Sequence, residues 1–266
     1  MTEATEAPAT APAAPGPPRR PLLQIHDLTM SYDAESPVLT GVSLDLLERE
    51  LVAVVGPSGC GKSTLLQLAA GLEQPDAGTV DAGGSVCSYV FQDPALLEWR
   101  TALGNVELVG ELTGLRRPIR RSRALEALAL VGLSGFEHHH PRQLSGGMRM
   151  RVSLARALVS EPRLALFDEP FGALDEITRL EMQTELQRLV HDRALAALLV
   201  THSVPEAVYL GSRVMVLSPR PGQVVAELPI PFPYPRPPSL RHSAEFARLT
   251  GEVSEALSSP VHEGPR

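Results

Sequence analysis

The sequence predicts a layered α/β fold, on three observations. Three continuous apolar runs, Leu51–Val55, Leu164–Phe167 and Ala196–Val200, read as central parallel strands buried on both faces. Helical spacing lies between them, as in Met182, Leu186, Leu189 and Val190 at i, i+4, i+7 and i+8. The first apolar run feeds a glycine-rich loop and then a helix start, Thr64-Leu65-Leu66-Gln67-Leu68. Strands that alternate with helices build a sheet covered by helices.

Along the chain, residues 1–21 come first. They are rich in Ala, Pro and Thr, with almost no large apolar side chain before Leu22. They cannot bury enough surface to offset ordering and are expected to be a disordered tail. Leu22 to Met30 and Val38 to Leu46 have strand character, and the folded unit is expected over 22–230. From about Pro94 to Val159 there are helix signals, such as Leu125, Leu128 and Ala129, and no strand-like run. That stretch reads as a mostly helical insertion. Beyond Leu228, the prolines 229, 231, 233, 235, 237 and 238 predict an extended rather than folded segment. Residues 231–266 are thus an extension with one amphipathic helix, striped by Phe246, Leu249, Val253 and Leu257.

Composition removes several classes of function. At 266 residues and 43% apolar, the chain can bury a real core. Net charge is −7, with no basic stripe interleaved with aromatics, so nucleic acid is not an expected partner. No apolar stretch reaches the length of a membrane span, and no secretory signal is evident. Two cysteines, Cys60 and Cys87, make no disulfide framework. These features together predict a cytosolic protein.

Lys62 is the only lysine in the chain. It sits in Gly56-Pro57-Ser58-Gly59-Cys60-Gly61-Lys62-Ser63-Thr64, which matches the phosphate-binding pattern G-x-x-x-x-G-K-[ST]. Backbone N–H groups of such a turn converge on a polyphosphate at the positive end of the next helix. A compact ammonium threads into that nest, whereas a planar guanidinium forks differently. The Ser63 hydroxyl is then placed to ligate Mg²⁺. A glycine turn without a nucleotide is the competing reading, and the flanking strand and helix argue against it.

Other residues gain meaning beside that loop. Asp168 and Glu169 end a buried strand, where Asp168 can hold Mg²⁺ and Glu169 can polarise an attacking water. Alone they would read as a solvated acidic turn before Pro170. His202 closes another strand and could sense a terminal phosphate, although a lone histidine is usually a satisfied core group. Gln92 follows Val90-Phe91 and could touch the metal or the water, and is uninformative by itself. Ser145-Gly146-Gly147 opens a helix with a serine cap and two glycines, a second anion-binding helix start.

The ordered set resembles the ATP-binding subunits of ABC transporters, over roughly Leu22 to Leu228. Its members run from the P-loop through Gln92, Leu144-Ser145-Gly146-Gly147-Met148 and Asp168-Glu169 to Phe171-Gly172-Ala173-Leu174-Asp175 and His202. The resemblance implies a P-loop NTPase (RecA-like) core with an antiparallel β subdomain and a helical subdomain. It implies ATP hydrolysis, with Tyr32 stacking on adenine and Gly59, Gly61, Lys62, Ser63 and Thr64 contacting phosphates and Mg²⁺. It makes Gln92 the Q-loop residue, Glu169 the catalytic carboxylate and His202 the switch histidine. Ser145 and Gly147 would reach ATP held by a partner copy, and Asp175 would link the two sites. A homodimer, integral membrane permease subunits and, indirectly, an extracytoplasmic substrate-binding protein are the implied partners, at the cytoplasmic face of the membrane. Met148 departs from the glutamine usual in the family, while the backbone donors before it survive.

Leu144–Arg149, Trp99-Arg100-Thr101 and the tail around Arg236-Pro237 are similar to importers of nitrate, sulfonate and taurine. The alternatives weighed against an importer subunit are a soluble ABC ATPase of the iron–sulfur assembly type and a P-loop kinase. The kinase leaves Leu144–Met148 unexplained. His138-His139-His140 reads as a solvated loop rather than a metal site. Cys60 reads as a small tolerated side chain. The cluster Arg116, Arg117, Arg120, Arg121 and Arg123 is as readily a solvated face as a surface for lipid or permease.

Overall fold

The computed structural model describes residues 20–33 and 36–258. The expected disordered tail lies outside the described residues apart from its last two positions, and the first strand begins one residue before the expected boundary. In chain order the elements are β1 (Pro21–Ser31), β2 (Pro37–Leu47), β3 (Leu51–Val55), α1 (Lys62–Ala69), β4 (Ala77–Asp81), β5 (Cys87–Val90), α2 (Ala102–Leu112), α3 (Arg117–Leu130), α4 (Gly146–Leu158), β6 (Leu164–Asp168), α5 (Glu176–Asp192), β7 (Ala196–Thr201), α6 (Val204–Leu210), β8 (Arg213–Leu217), β9 (Val224–Pro229) and α7 (Ala244–Ser258).

Two sheets organise the molecule. One is antiparallel and three-stranded, in the order β2-β1-β4. The other has six strands in the order β5-β6-β7-β3-β8-β9, parallel from β5 to β8, with β9 antiparallel at the edge. The three expected central strands, β3, β6 and β7, are adjacent in its middle. Alternation along each strand splits their side chains between two cores. Val52 and Val54 join α1 and the antiparallel sheet, whereas Leu51, Ala53 and Val55 face the helical side.

The register brings the ends of the parallel strands to one edge. Val55 pairs with Thr201, Asp168 with Val200 and Val90 with Phe167. The loops after β3, β5, β6 and β7 therefore open side by side, at the carboxyl edge where parallel α/β sheets bind ligands. Those loops carry the glycine-rich turn, Gln92, Glu169 and His202.

Between β5 and β6 the chain forms α2, α3, a single turn at Pro141–Gln143, and α4. Buried Asn105 secures the entry: its side chain accepts from Leu97 N and donates to the Leu97, Arg100 and Thr101 carbonyls.

The proline-rich segment corrects the expectation that it is extended rather than folded. It is extended, but packed. Arg236 is 2% exposed and donates to the carbonyls of Val208, Tyr209, Gly211, Ile230 and Phe232, with its guanidinium over the Tyr234 ring. A cation beside a helix C-terminus gains from the free carbonyls there. Phe246, Leu249 and Val253 of α7 then join the same core as β3.

Candidate functional site

The turn after β3 needs its glycines. Gly59 and Gly61 have φ of 79° and 101°, in the left-handed region that glycine adopts freely. A Cβ on Gly61 would lie 2.6 Å from Leu39 Cδ2, and one on Gly56 would lie 2.6 Å from Cys60 Sγ. Gly61 is the N-cap of α1 and brings no side chain to cap it. The first-turn N–H groups of α1 are thus left for an anion. Pro57 and Ser58 form the exposed crest of the loop, and Cys60 is buried beneath it. Burial pushes the Cys60 thiol up, which opposes reactivity.

Lys62 is 5% exposed, and Nζ donates to the carbonyls of Gly56 at 2.8 Å and Pro57 at 3.0 Å. Its remaining donor lies toward Glu169 Oε1, 3.8 Å away. Ser63 Oγ donates to Asp168 Oδ1 at 2.9 Å, across the gap between loop and strand. The Tyr89 hydroxyl donates to Asp168 Oδ2 at 2.8 Å, a contact that no sequence motif marked. Burial, with the Asp168 charge beside it, pushes the Tyr89 phenol well above its ordinary value and keeps it a neutral donor.

Glu169 has φ of 43°, an unusual backbone for a non-glycine residue. Its N–H is tied to the Val200 carbonyl at 3.0 Å, and Oε2 lies 2.9 Å from His202 Nδ1. The sheet thus holds a strained carboxylate between an imidazole and an ammonium. Backbone strain of this kind gathers at working sites.

Not every expected residue joins that centre. Tyr32 is 57% exposed; its hydroxyl shares a hydrogen bond with Thr64 Oγ1 at 3.3 Å and donates to Glu73 Oε2 at 2.8 Å. Gln92 lies against Gly172, where an added Cβ would come 3.1 Å from Gln92 Nε2 and 3.5 Å from the Glu169 carbonyl oxygen, and it lines a cleft of about 660 Å³ with Pro94, Leu96, Glu98 and Arg149. Ser145 caps α4 by accepting from Met148 N at 3.2 Å. A Cβ on Gly147 would run into Thr178, whose N–H is held by the α5 cap Asp175 at 3.1 Å. That backbone hydrogen bond, with others, lowers the Asp175 carboxyl below its usual range. Among the described residues, no hydrogen bond or ion pair links Ser145, Gly146 or Gly147 to Lys62, Asp168 or Glu169.

The other candidates have mostly structural partners. Arg120, Arg121 and Arg123 pair with Glu111, Glu107 and Glu161. No group of three metal-ligating side chains is found among the described residues, the region of His138–His140 included.

Comparison with known proteins gives the family. A family model described as ABC transporter matches residues 39–172. The taurine import ATP-binding protein TauB of Yersinia pestis is 47% identical over 218 residues, covering 79% of this chain and 85% of that protein. TauB of Pseudomonas fluorescens is 45% identical over 219 residues, covering 79% and 83%. A solved ATP-binding cassette, captured as a dimer after hydrolysis with ADP and Pi, is 31% identical with a TM-score of 0.70, covering 79% of this chain and 99% of that one. The chain belongs to the ABC transporter family of ATP-binding subunits. It binds and hydrolyses ATP, and its fold is the P-loop core with the antiparallel and helical subdomains of that family. No helix of the described residues is long and apolar enough to cross a membrane.

Proposed function

We propose that this subunit powers import of a small oxyanion, taurine or another aliphatic sulfonate before nitrate. Two copies work together at the cytoplasmic face of the membrane, on integral permease subunits, and a substrate-binding protein outside delivers the cargo. The names of the relatives above support the cargo and the direction. One observation supports the chemistry above the rest: Glu169 held 2.9 Å from His202 and 3.8 Å from Lys62 beside the phosphate loop.

The residues divide the work. Backbone N–H groups from Gly59 and from Gly61 to Thr64, with the Lys62 ammonium, cradle the phosphates of ATP on the turn that Gly56, Pro57, Ser58 and Cys60 shape, and Tyr32 turns from Thr64 to the adenine. The Ser63–Asp168 pair fits a Mg²⁺ site, because hydroxyl and carboxylate oxygens already face each other across the loop. When bound, the ion neutralises phosphate charge. Glu169 takes a proton from the attacking water as its oxygen bonds to the γ-phosphorus and the bond to the ADP oxygen breaks. His202 fixes the Glu169 carboxylate. Ser145, Gly146 and Gly147 of one copy close over the ATP of the other, with Asp175 packed behind them through Thr178 and linking the two sites. Gln92 and the cleft toward the helical part, about 94–159, seat a permease helix.

Growth tests the cargo. A strain lacking this chain should fail on taurine or another aliphatic sulfonate as sole sulfur source. The intact chain should restore growth and Glu169→Gln should not. Normal growth of the deletion strain on each of those sources, with failure on nitrate as sole nitrogen source, would reassign the cargo.

A further inference from the structure

Asp168 is held at both carboxylate oxygens. Ser63 Oγ donates to Oδ1 at 2.9 Å, and the Tyr89 hydroxyl donates to Oδ2 at 2.8 Å. The first contact belongs to the phosphate loop. The second comes from a different strand. Tyr89 sits on β5 in register with Leu166 of β6, so the sheet sets how far its phenol reaches toward the end of that neighbour. Its ring is half-buried and tilted against Phe91, with centroids 4.3 Å apart, which limits its rotation.

A carboxylate anchored only at Oδ1 can swing about its side-chain torsions. One anchored at Oδ2 as well keeps Oδ1 aimed at the side occupied by Ser63. We propose that Tyr89 is a positioning residue for the divalent-cation site, orienting Asp168 so that Oδ1 and Ser63 Oγ face one ion. This rests on the reading of Ser63 and Asp168 as the holders of Mg²⁺. Donors that orient ligating carboxylates tune metal affinity by roughly 10- to 100-fold. The same strand leads into Gln92, so a permease pressing on that loop has a short route to the carboxylate, along the backbone to Tyr89 and through its hydroxyl to Asp168.

Full-length protein carrying Glu169→Gln, saturated with ATP so that nucleotide is not consumed, is titrated with Mn²⁺ as the probe. Bound ion is read by electron paramagnetic resonance. Tyr89→Phe keeps the ring and its Phe91 contact and removes only the hydroxyl. It is expected to weaken Mn²⁺ binding about 10-fold, with ATP affinity in EDTA and Tm unchanged. Asp168→Asn, run beside it, is expected to weaken binding further. If Asp168→Asn loses Mn²⁺ and Tyr89→Phe binds it like the parent, the inference about Tyr89 is overturned and the assignment of Asp168 stands. If both bind Mn²⁺ like the parent, the ion lies elsewhere and both fail.

Discussion

Two buried cations among the described residues rest on backbone carbonyls, and they do opposite things. Lys62 touches two carbonyls of its own loop and keeps a donor toward Glu169, 3.8 Å away. Arg236 spends its guanidinium on five carbonyls, from α6, from the turn after it and from the segment after β9. The first has capacity left for a phosphate. The second has a full set of partners and no carboxylate among them, so it acts as a clasp. A buried charge with spare donors is poised for a ligand, and one whose donors are all used secures the fold.

The largest expected effect falls on the carboxylate beside the unsatisfied cation. Glu169→Gln should cut ATP turnover by roughly 10³-fold, the scale of a lost general base, while ATP binding survives. Gel filtration with ATP should then show a trapped dimer. Parental turnover in that variant would remove Glu169 from the chemistry and, with it, the meaning of the Lys62 donor. Next come two swaps that keep charge. Lys62→Arg should lower turnover at least about 100-fold with Tm little changed, because a planar fork does not fit where an ammonium bridges two carbonyls and a phosphate. Arg236→Lys should do the reverse, lowering Tm while turnover at low temperature stays near parental. If Lys62→Arg unfolds the protein, or Arg236→Lys silences it while folded, the division between poised and clasped cations is wrong.

Arg236→Ala measures the clasp directly. Truncation leaves buried carbonyls without donors, at a cost of about 3 kcal/mol. Thermal unfolding followed by circular dichroism should show the loss as a clear drop in Tm. An unchanged Tm would mean that water replaces the guanidinium freely.

The two cations also mark what the sequence could and could not say. Lys62 was legible because phosphate chemistry needs a fixed spacing of glycines around it, and Asp168, Glu169 and His202 followed once strand ends were placed side by side. Arg236 was legible only as a similarity in the tail, since proline-rich composition reads as extended rather than folded. What folds it down is the set of carbonyls at the end of α6, which no local pattern announces. Tyr89 was missed for a related reason. Its partner, Asp168, is 79 positions away along the chain, and only the pairing of β5 with β6 brings the two together. Contacts made through one side chain and an unrelated strand leave no periodicity to read.

A third buried charged side chain, Glu206 on α6, sharpens the rule by breaking it. It is 4% exposed, Gln183 donates to Oε2 at 3.3 Å, and Oε1 lacks a hydrogen-bond partner among the described residues. Burial pushes its pKa up to about 7, and Thr201, Arg179, His202 and Gln183 pull it only part of the way back. With too few partners, the group holds its proton up to about pH 7 instead of ionising near the ordinary glutamate value. The folded protein therefore keeps a proton that the unfolded chain releases near the ordinary glutamate value. Stability should fall as pH rises from about 4.5 to 7 and stay reduced above that. Glu206→Gln is neutral throughout and should flatten this dependence. At pH 8 it should be more stable than the parent by on the order of 2 kcal/mol, and at pH 4.5 about equal to it. Urea unfolding at the two pH values reads the difference. A variant less stable than the parent at pH 8 would mean that the charged carboxylate is well partnered there, which would place Glu206 with the clasping residues after all.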